Sequence, residues 1–223
     1  MGVLGEVGEP LGRSATLRRA VRAYFASAAK KPVLRTLLVS DLEGFTRMLC
    51  ALGDLAARDV MAIHDKLLRD CLREHHGVER AHTGDGVIAS FADAERAVAC
   101  AAAIQHRLGR YNERAAKMAA INVRIGLHSG RTLIHDHRLF GATVNTAVRL
   151  CTVAAPGEVV LSEAVRALVG TRSFPLTLRD LGELYLKGLP APVAAYAFDW
   201  RSFGRLTSRP AINQLPRGVV ARA

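Results

Sequence analysis

Two acidic residues carry the first chemical hint in this chain. Asp41 ends the apolar run "PVLRTLLVSD" over 32–41, and Asp85 stands between Gly84 and Gly86 in "RAHTGDGVIASF" over 80–91. A Gly-Asp-Gly among β-branched residues reads as a tight hairpin, in which a lone Asp ordinarily serves the turn. The two acids lie 44 residues apart and each is followed by small or flexible backbone. Adjacent strands would bring them together. Paired carboxylates with no cation between them repel, and the usual remedy is one or two hard divalent ions with oxygen ligands. The "HDH" at 135–137 is a weaker metal candidate, because with no Cys nearby it reads as a polar turn and not as a zinc site.

The elements that must position these acids follow from periodicity. Residues 32–41 read as a buried strand with Asp41 at its C-terminal edge, where ligands of α/β sheets collect. Helix-compatible sequence runs over 47–76, with a break expected near Gly53-Asp54 and a stop at Gly77. Residues 78–83 and 87–91 are the arms of the hairpin, and Asp93 caps an alanine-rich helix expected to reach Met118. "INVRIGLHSG" reads as a strand, with "RTLIH" after Gly130 as its hairpin partner. "FGATVNTAVRLCTVA" has helical period, with Val144, Ala147, Val148 and Cys151 turned to a core. A strand in "PGEVVLSE", a short helix over 162–169 and two or three strands in "LTLRDLGELYLKGLPAPVAAYAF" complete the chain. This mixed order argues for an α+β fold with a mixed or antiparallel central sheet flanked by helices.

The 223 residues suffice for one such domain with short appendages. No apolar run approaches the ~18 residues of a transmembrane helix and the N-terminus lacks a signal-peptide core, so a cytoplasmic location is expected. Cys50, Cys71, Cys100 and Cys151 are scattered and read as reduced core thiols. The net charge of +11 is concentrated at the ends: residues 1–32 carry +4, residues 200–223 carry +5, and the segment between them is near neutral. We therefore divide the chain into a basic flank, 1–32, containing a candidate amphipathic helix; a domain, 33–199; and a basic tail, 200–223. The ends can touch a membrane surface or an acidic partner, or simply be solvated, and nucleic acid is not the expected partner.

Taken in order, "DLEGFT", "TGDGVIASF", "RIGLHSG", "FGATVNTAVRL", "GEVVLSE" and "LKGLPAPVAAYAF" resemble the class III nucleotidyl cyclase homology domain over about residues 33–199. That resemblance implies a ferredoxin-like α+β fold and conversion of a nucleoside triphosphate to its 3′,5′-cyclic monophosphate and pyrophosphate. Asp41 and Asp85 match the family's metal-binding aspartates for two Mg²⁺ or Mn²⁺, with the Leu42 carbonyl as a further ligand. The backbone at Gly44, Phe45 and Thr46, opening a helix, would offer N–H groups to phosphate. Arg124 matches an arginine that contacts the terminal phosphates; on residue type alone it is a surface strand residue. Asn145 and Arg149 share a helical face and match the pair that orients the ribose and stabilises charge at the α-phosphate; without the resemblance they are a solvated pair. Lys187 in "LKG" is a further phosphate contact. The family draws its metal aspartates from one subunit and its Asn/Arg pair from the other, so a chain carrying both implies a homodimer with two composite sites.

The base-reading positions depart from the pattern. Ala81 stands where common adenylyl cyclases carry Lys, and Arg138 where they carry Asp or Thr; guanylyl cyclases typically carry Glu and a small residue such as Cys at these places. Arg138 can donate to base acceptors such as guanine O6 and N7. Arg80 would project to the opposite face of a regular strand and could serve only through a bulge. ATP is the expected substrate by family frequency, with GTP, CTP or UTP as alternatives, and a catalytically silent nucleotide-binding or dimerising module as the non-enzymatic reading.

Overall fold

The computed structural model describes residues 19, 31–135, 138–169 and 176–203. The candidate amphipathic helix in the N-terminal flank and most of the basic C-terminal tail lie outside these residues. Strand β1 (Val33–Leu42) leads by a Glu43-Gly44 turn into α1 (Phe45–Glu74). The hairpin strands β2 (Val78–His82) and β3 (Gly86–Phe91) follow, then α2 (Ala94–Asn112) and β4 (Val123–His135). Short β5 (Arg138–Phe140), α3 (Ala142–Val153), β6 (Val159–Ser162), α4 (Glu163–Val169), β7 (Leu178–Leu184) and β8 (Val193–Phe198) complete the order.

The sheet runs β2-β3-β1-β4-β6-β8-β7, with β5 paired to β4. Every pairing is antiparallel except β4 with β6. β1 is central because its run Thr36–Ser40 is buried without alternation, which a strand tolerates only when both its faces are covered. On one face Leu38 and Leu42 join Val60 and Leu68 of α1, Ile104 of α2 and Phe91 of β3 in the main core. On the other, Leu37 and Val39 meet Ala147 and Cys151 of α3, with Val144 and Val148 packed at the edge. The expected inward face of α3 is thus the observed one.

Glycine sets how closely α3 approaches. A Cβ on Gly126 would stand 2.2 Å from the Cys151 nitrogen and 2.5 Å from the Ala147 carbonyl oxygen, and one on Gly130 would stand 2.6 Å from Thr143 Oγ1. This corrects one expectation. Gly130 does not turn the chain; β4 runs through it unbroken to His135, and its hairpin partner is β5, not "RTLIH". The helix expected to reach Met118 ends at Asn112, whose side chain exchanges hydrogen bonds with the backbone of Ile121 at 2.8 and 2.9 Å and folds the chain back. The break in α1 falls at Gly53 (φ 74°, ψ 166°). Three cysteines are buried, whereas Cys50 is exposed on α1 and is no core thiol.

Candidate active site

The antiparallel register places Asp41 opposite Gly86 on one side and opposite Arg124 on the other. Asp85 is the residue before Gly86, so the hairpin tip sets it beside the end of β1. The Leu42 N–H donates to the Asp85 carbonyl at 3.0 Å, which fixes the tip to β1. The fit at Gly86 is close: a Cβ there would lie 2.0 Å from the Ser40 carbonyl oxygen. Gly84 holds φ +94° at the tip, a conformation that glycine adopts at least cost.

Arg124 reaches the Asp41 carboxylate with both Nε (2.7 Å) and Nη2 (2.5 Å), all on Oδ2, and its Nη1 donates to the Thr152 carbonyl at the end of α3 at 3.3 Å. Its pKa is raised, first by the hydrogen bond to Asp41, with Asp85 adding to the attraction. The sequence-matched acids and arginine therefore form one cluster, about one-third exposed at both Asp41 and Arg124. Oxygen donors from two carboxylates suit Mg²⁺ or Mn²⁺, which keep open positions for phosphate oxygens and water. No group of three or more His, Cys, Asp or Glu arranged for a metal occurs among the described residues, and Asp136 and His137 lie outside them. The oxygen donors at β1 and the hairpin tip are two carboxylates, Asp41 and Asp85, with Arg124 on the first.

Gly44 precedes α1 in the left-handed conformation (φ 74°), and no side chain caps the helix. The N–H groups of Phe45 and Thr46 therefore stay available, as the first turn of any helix leaves them.

The remaining matched residues gather elsewhere. α3 packs against the sheet through Thr143, Ala147 and Cys151, so Asn145 and Arg149, one turn apart, lie on its outer face. Asn145 is exposed, Arg149 half-buried, and neither has a hydrogen-bond or ion-pair partner among the described residues. Lys187 is exposed in the β7–β8 turn, next to Leu186, which packs against Leu150 of α3. That turn lies at the opposite end of the sheet from Asp41, toward its far edge. The chain therefore carries two groups: Asp41, Asp85 and Arg124 in one, and Asn145, Arg149 and Lys187 around α3 in the other.

Ala81 is exposed on β2 and Arg138 is exposed at the start of β5. Between Glu79 and Ala81 the register with β3 slips: Glu79 opposes Ala89 and Ala81 opposes Ile88, leaving Arg80 as the extra residue of a bulge. A regular strand would have turned Arg80 away from Ala81. Instead its Nε donates to Ser90 Oγ at 2.8 Å, and Ser90 pairs with Leu37 on the Asp41 face of the sheet. Sequence reasoning missed two further residues at the tip, His82 and Asp65 of α1, which hydrogen-bond each other at 3.2 Å.

Known proteins resemble this chain in sequence and in fold. Residues 29–199 match the family described as the adenylate and guanylate cyclase catalytic domain. A putative adenylate cyclase 3 of Rhizobium meliloti is 30% identical over 183 residues, covering 82% of this chain and 31% of that protein. An uncharacterized protein of Mycobacterium tuberculosis is 35% identical over 162 residues, covering 70% of this chain and 53% of that one. The match thus spans 31% of the length of the first relative and 53% of the second. Among solved structures, an adenylate/guanylate cyclase/hydrolase from Silicibacter pomeroyi superposes with a TM-score of 0.66 at 26% identity, covering 76% of this chain and 98% of that one. The adenylyl cyclase CyaB from P. aeruginosa shares the fold with a TM-score of 0.67 at 22% identity, over 76% and 95% of the two chains. With the family match running from before β1 to the end of β8, the chain belongs to the adenylate and guanylate cyclase catalytic domain family.

Proposed function

We propose that residues 33–199 form an active nucleotide cyclase domain that converts a nucleoside triphosphate, ATP first among the candidates, to its 3′,5′-cyclic nucleotide and pyrophosphate. The observation that carries this reading is the register that sets Asp85 beside Asp41 with Arg124 on the same carboxylate. In the reaction the ribose 3′-oxygen bonds to the α-phosphorus, the α-phosphorus to bridging-oxygen bond breaks, pyrophosphate leaves, and the 3′-hydroxyl proton passes to solvent or a nearby base. Asp41, Asp85 and the Leu42 carbonyl would hold two Mg²⁺ or Mn²⁺, which when bound supply charge neutralisation and a lowered hydroxyl pKa. Arg124 contacts the terminal phosphates once released from Asp41, and the first amides of α1 at Gly44, Phe45 and Thr46 receive phosphate oxygens. Asn145 orients the ribose and Arg149 stabilises charge at the α-phosphate; Lys187 adds a phosphate contact.

Because Asn145 and Arg149 face outward from α3, the second copy of a homodimer completes each site, giving two equivalent composite sites. The base is read at Ala81 and Arg138, with Arg80 on the same face through the bulge. Two guanidinium donors suit acceptor-rich edges such as guanine O6 and N7, so GTP is the second substrate candidate. The cytoplasm is the proposed location; among the described residues no helix is long and apolar enough to cross a membrane.

The test is to incubate the purified chain with Mn²⁺ and ATP, GTP, CTP or UTP and to identify cyclic products by mass spectrometry. One cyclic nucleotide, lost in Asp85→Ala, is the expected result. If no triphosphate gives product at high enzyme concentration and Asp85→Ala is indistinguishable, the catalytic reading fails and the silent binding or dimerising module replaces it.

A further inference from the structure

We infer that His82 is a positioning residue that holds the Gly84-Asp85-Gly86 tip in register with β1 through a hydrogen bond to the Gly84 amide, and is itself anchored by Asp65 of α1. This inference rests on the reading of Asp85 as a metal ligand.

The chain of contacts fixes the ring. The Gly84 N–H donates to His82 Nδ1 at 3.2 Å, so Nδ1 carries no proton. The neutral ring's proton then sits on Nε2, which faces Asp65 Oδ1 at 3.2 Å. The same Asp65 oxygen lies 3.0 Å from Nδ1 of His64, whose side chain is fully buried with Nε2 unpartnered among the described residues. A carboxylate oxygen accepts, so His64 Nδ1–H is the donor to Asp65, and burial lowers the His64 pKa. A second tie runs parallel: Arg69 of α1 lies 3.6 Å from Asp65 Oδ2 and donates from Nε to Glu79 of β2 at 3.2 Å.

The geometry at the tip is that of an Asx turn in which a histidine nitrogen replaces the carboxamide oxygen of Asn. Gly84 has φ +94°, a residue type and conformation with wide freedom, so its amide needs an acceptor if the next residue is to stand still. The rest of the tip is held by Thr83 N–H to the Gly86 carbonyl at 2.9 Å and Leu42 N–H to the Asp85 carbonyl at 3.0 Å. The His82 ring joins the Gly84 amide to Asp65 of α1, and through α1 to the main core.

Two polar substitutions separate the two ends of the ring. His82→Asn places an oxygen where Nδ1 sat and keeps the Gly84 acceptor while losing Asp65. His82→Gln keeps a group near Nε2 for Asp65 and loses the acceptor. The full chain, ¹⁵N-labelled, is followed by NMR: exchange of the Gly84 amide with solvent, and broadening of the Asp85 amide on titration with Mn²⁺ alone. Expected in His82→Gln are a Gly84 amide exchanging roughly tenfold faster and a Mn²⁺ midpoint about fivefold higher, with smaller losses in both readouts in His82→Asn, which keeps the acceptor but not the Asp65 anchor. His82→Gln matching wild type in both readouts, or His82→Asn failing while His82→Gln is retained, overturns the positioning role. Wild-type chain showing no Mn²⁺ broadening at Asp85 overturns the metal reading itself and this inference with it. Broadening in wild type that is unchanged in both variants removes only the inference.

Discussion

Gly86→Ala tests whether the two aspartates depend on backbone contact between the hairpin tip and β1. The added Cβ would lie 2.0 Å from the Ser40 carbonyl oxygen, and real Cβ contacts stay above 3.0 Å, so the tip must retreat from β1 by about 1 Å. Overpacking of this kind costs about 1–3 kcal/mol of stability. The functional cost is larger, because a misplacement of ~1 Å in a catalytic group can lower the rate about 10²-fold. Gly84→Ala is the matched control: it meets nothing within 4 Å, and its only penalty is the positive φ of +94°, which costs about 1–3 kcal/mol. The assay is cyclic-nucleotide production at saturating Mn²⁺, with urea denaturation of each variant to measure stability. The expected outcome is similar destabilisation of the two variants and a rate lower by a further ~10²-fold in Gly86→Ala. Equal rates in two equally folded variants would refute the argument that the Ser40–Gly86 contact sets the spacing of Asp41 and Asp85.

Three other outcomes are expected. His128 donates to or accepts from Ser162 Oγ at 2.8 Å, and burial lowers its pKa from 6.5 to about 4. The unfolded chain therefore binds more protons between these values, so stability is complete above about pH 6.5 and falls on acidification. His128→Asn should make the loss of unfolding free energy between pH 7.5 and 4.5 smaller by about 2.5 kcal/mol in urea titrations, and an unchanged loss would count against it. Mixing equal amounts of Asp85→Asn and Asn145→Ala chains, each inactive alone, should recover about a quarter of wild-type activity, since random pairing leaves one intact composite site in half the dimers; no recovery on mixing would speak for sites built within one chain. Cys50 is exposed, whereas burial pushes the Cys71 and Cys151 thiols up to about 12 and raises Cys100 well above its ordinary value. The folded chain should accordingly release one equivalent of thionitrobenzoate rapidly from a disulfide reagent, and that equivalent should vanish in Cys50→Ser.

What was legible in the sequence was what local chemistry dictates. The apolar run 32–41, the Gly-Asp-Gly between two strand patterns and the Asp93 cap each declare an element through periodicity or turn chemistry, and all three are observed, the strand at Val33–Leu42. Gly130 misled because glycine has two uses that look identical in sequence: it can turn a chain, or it can let another element approach, and here Thr143 of α3 occupies the space. Cys50 misled because the break at Gly53 rotates the first turns of α1 away from the face set by its later residues. The bulge at Arg80 left no local signal, since a register slip is decided between two strands. The acids and Arg124 could be proposed from motif order, but their contact depends on β1 pairing with both β3 and β4, which no single segment encodes.

The contact between Arg124 and Asp41 bears on how a site of this kind survives before its ligand arrives. Two carboxylates set side by side at a strand end would repel each other and loosen the tip. Here one guanidinium binds the Asp41 carboxylate and is drawn also by Asp85, so the pair is compensated before any ligand binds. The compensation is only moderate in strength because both partners are about one-third exposed, and exposed ion pairs contribute about 0–1 kcal/mol. A buried pair would have cost several kcal/mol to separate. On the proposed function, a divalent cation held by Asp41 would take over this carboxylate at small cost, and the arginine it displaces would stand next to the incoming phosphates. On that reading the partial exposure of this pair is what would let the same residue stabilise the resting site and serve the loaded one.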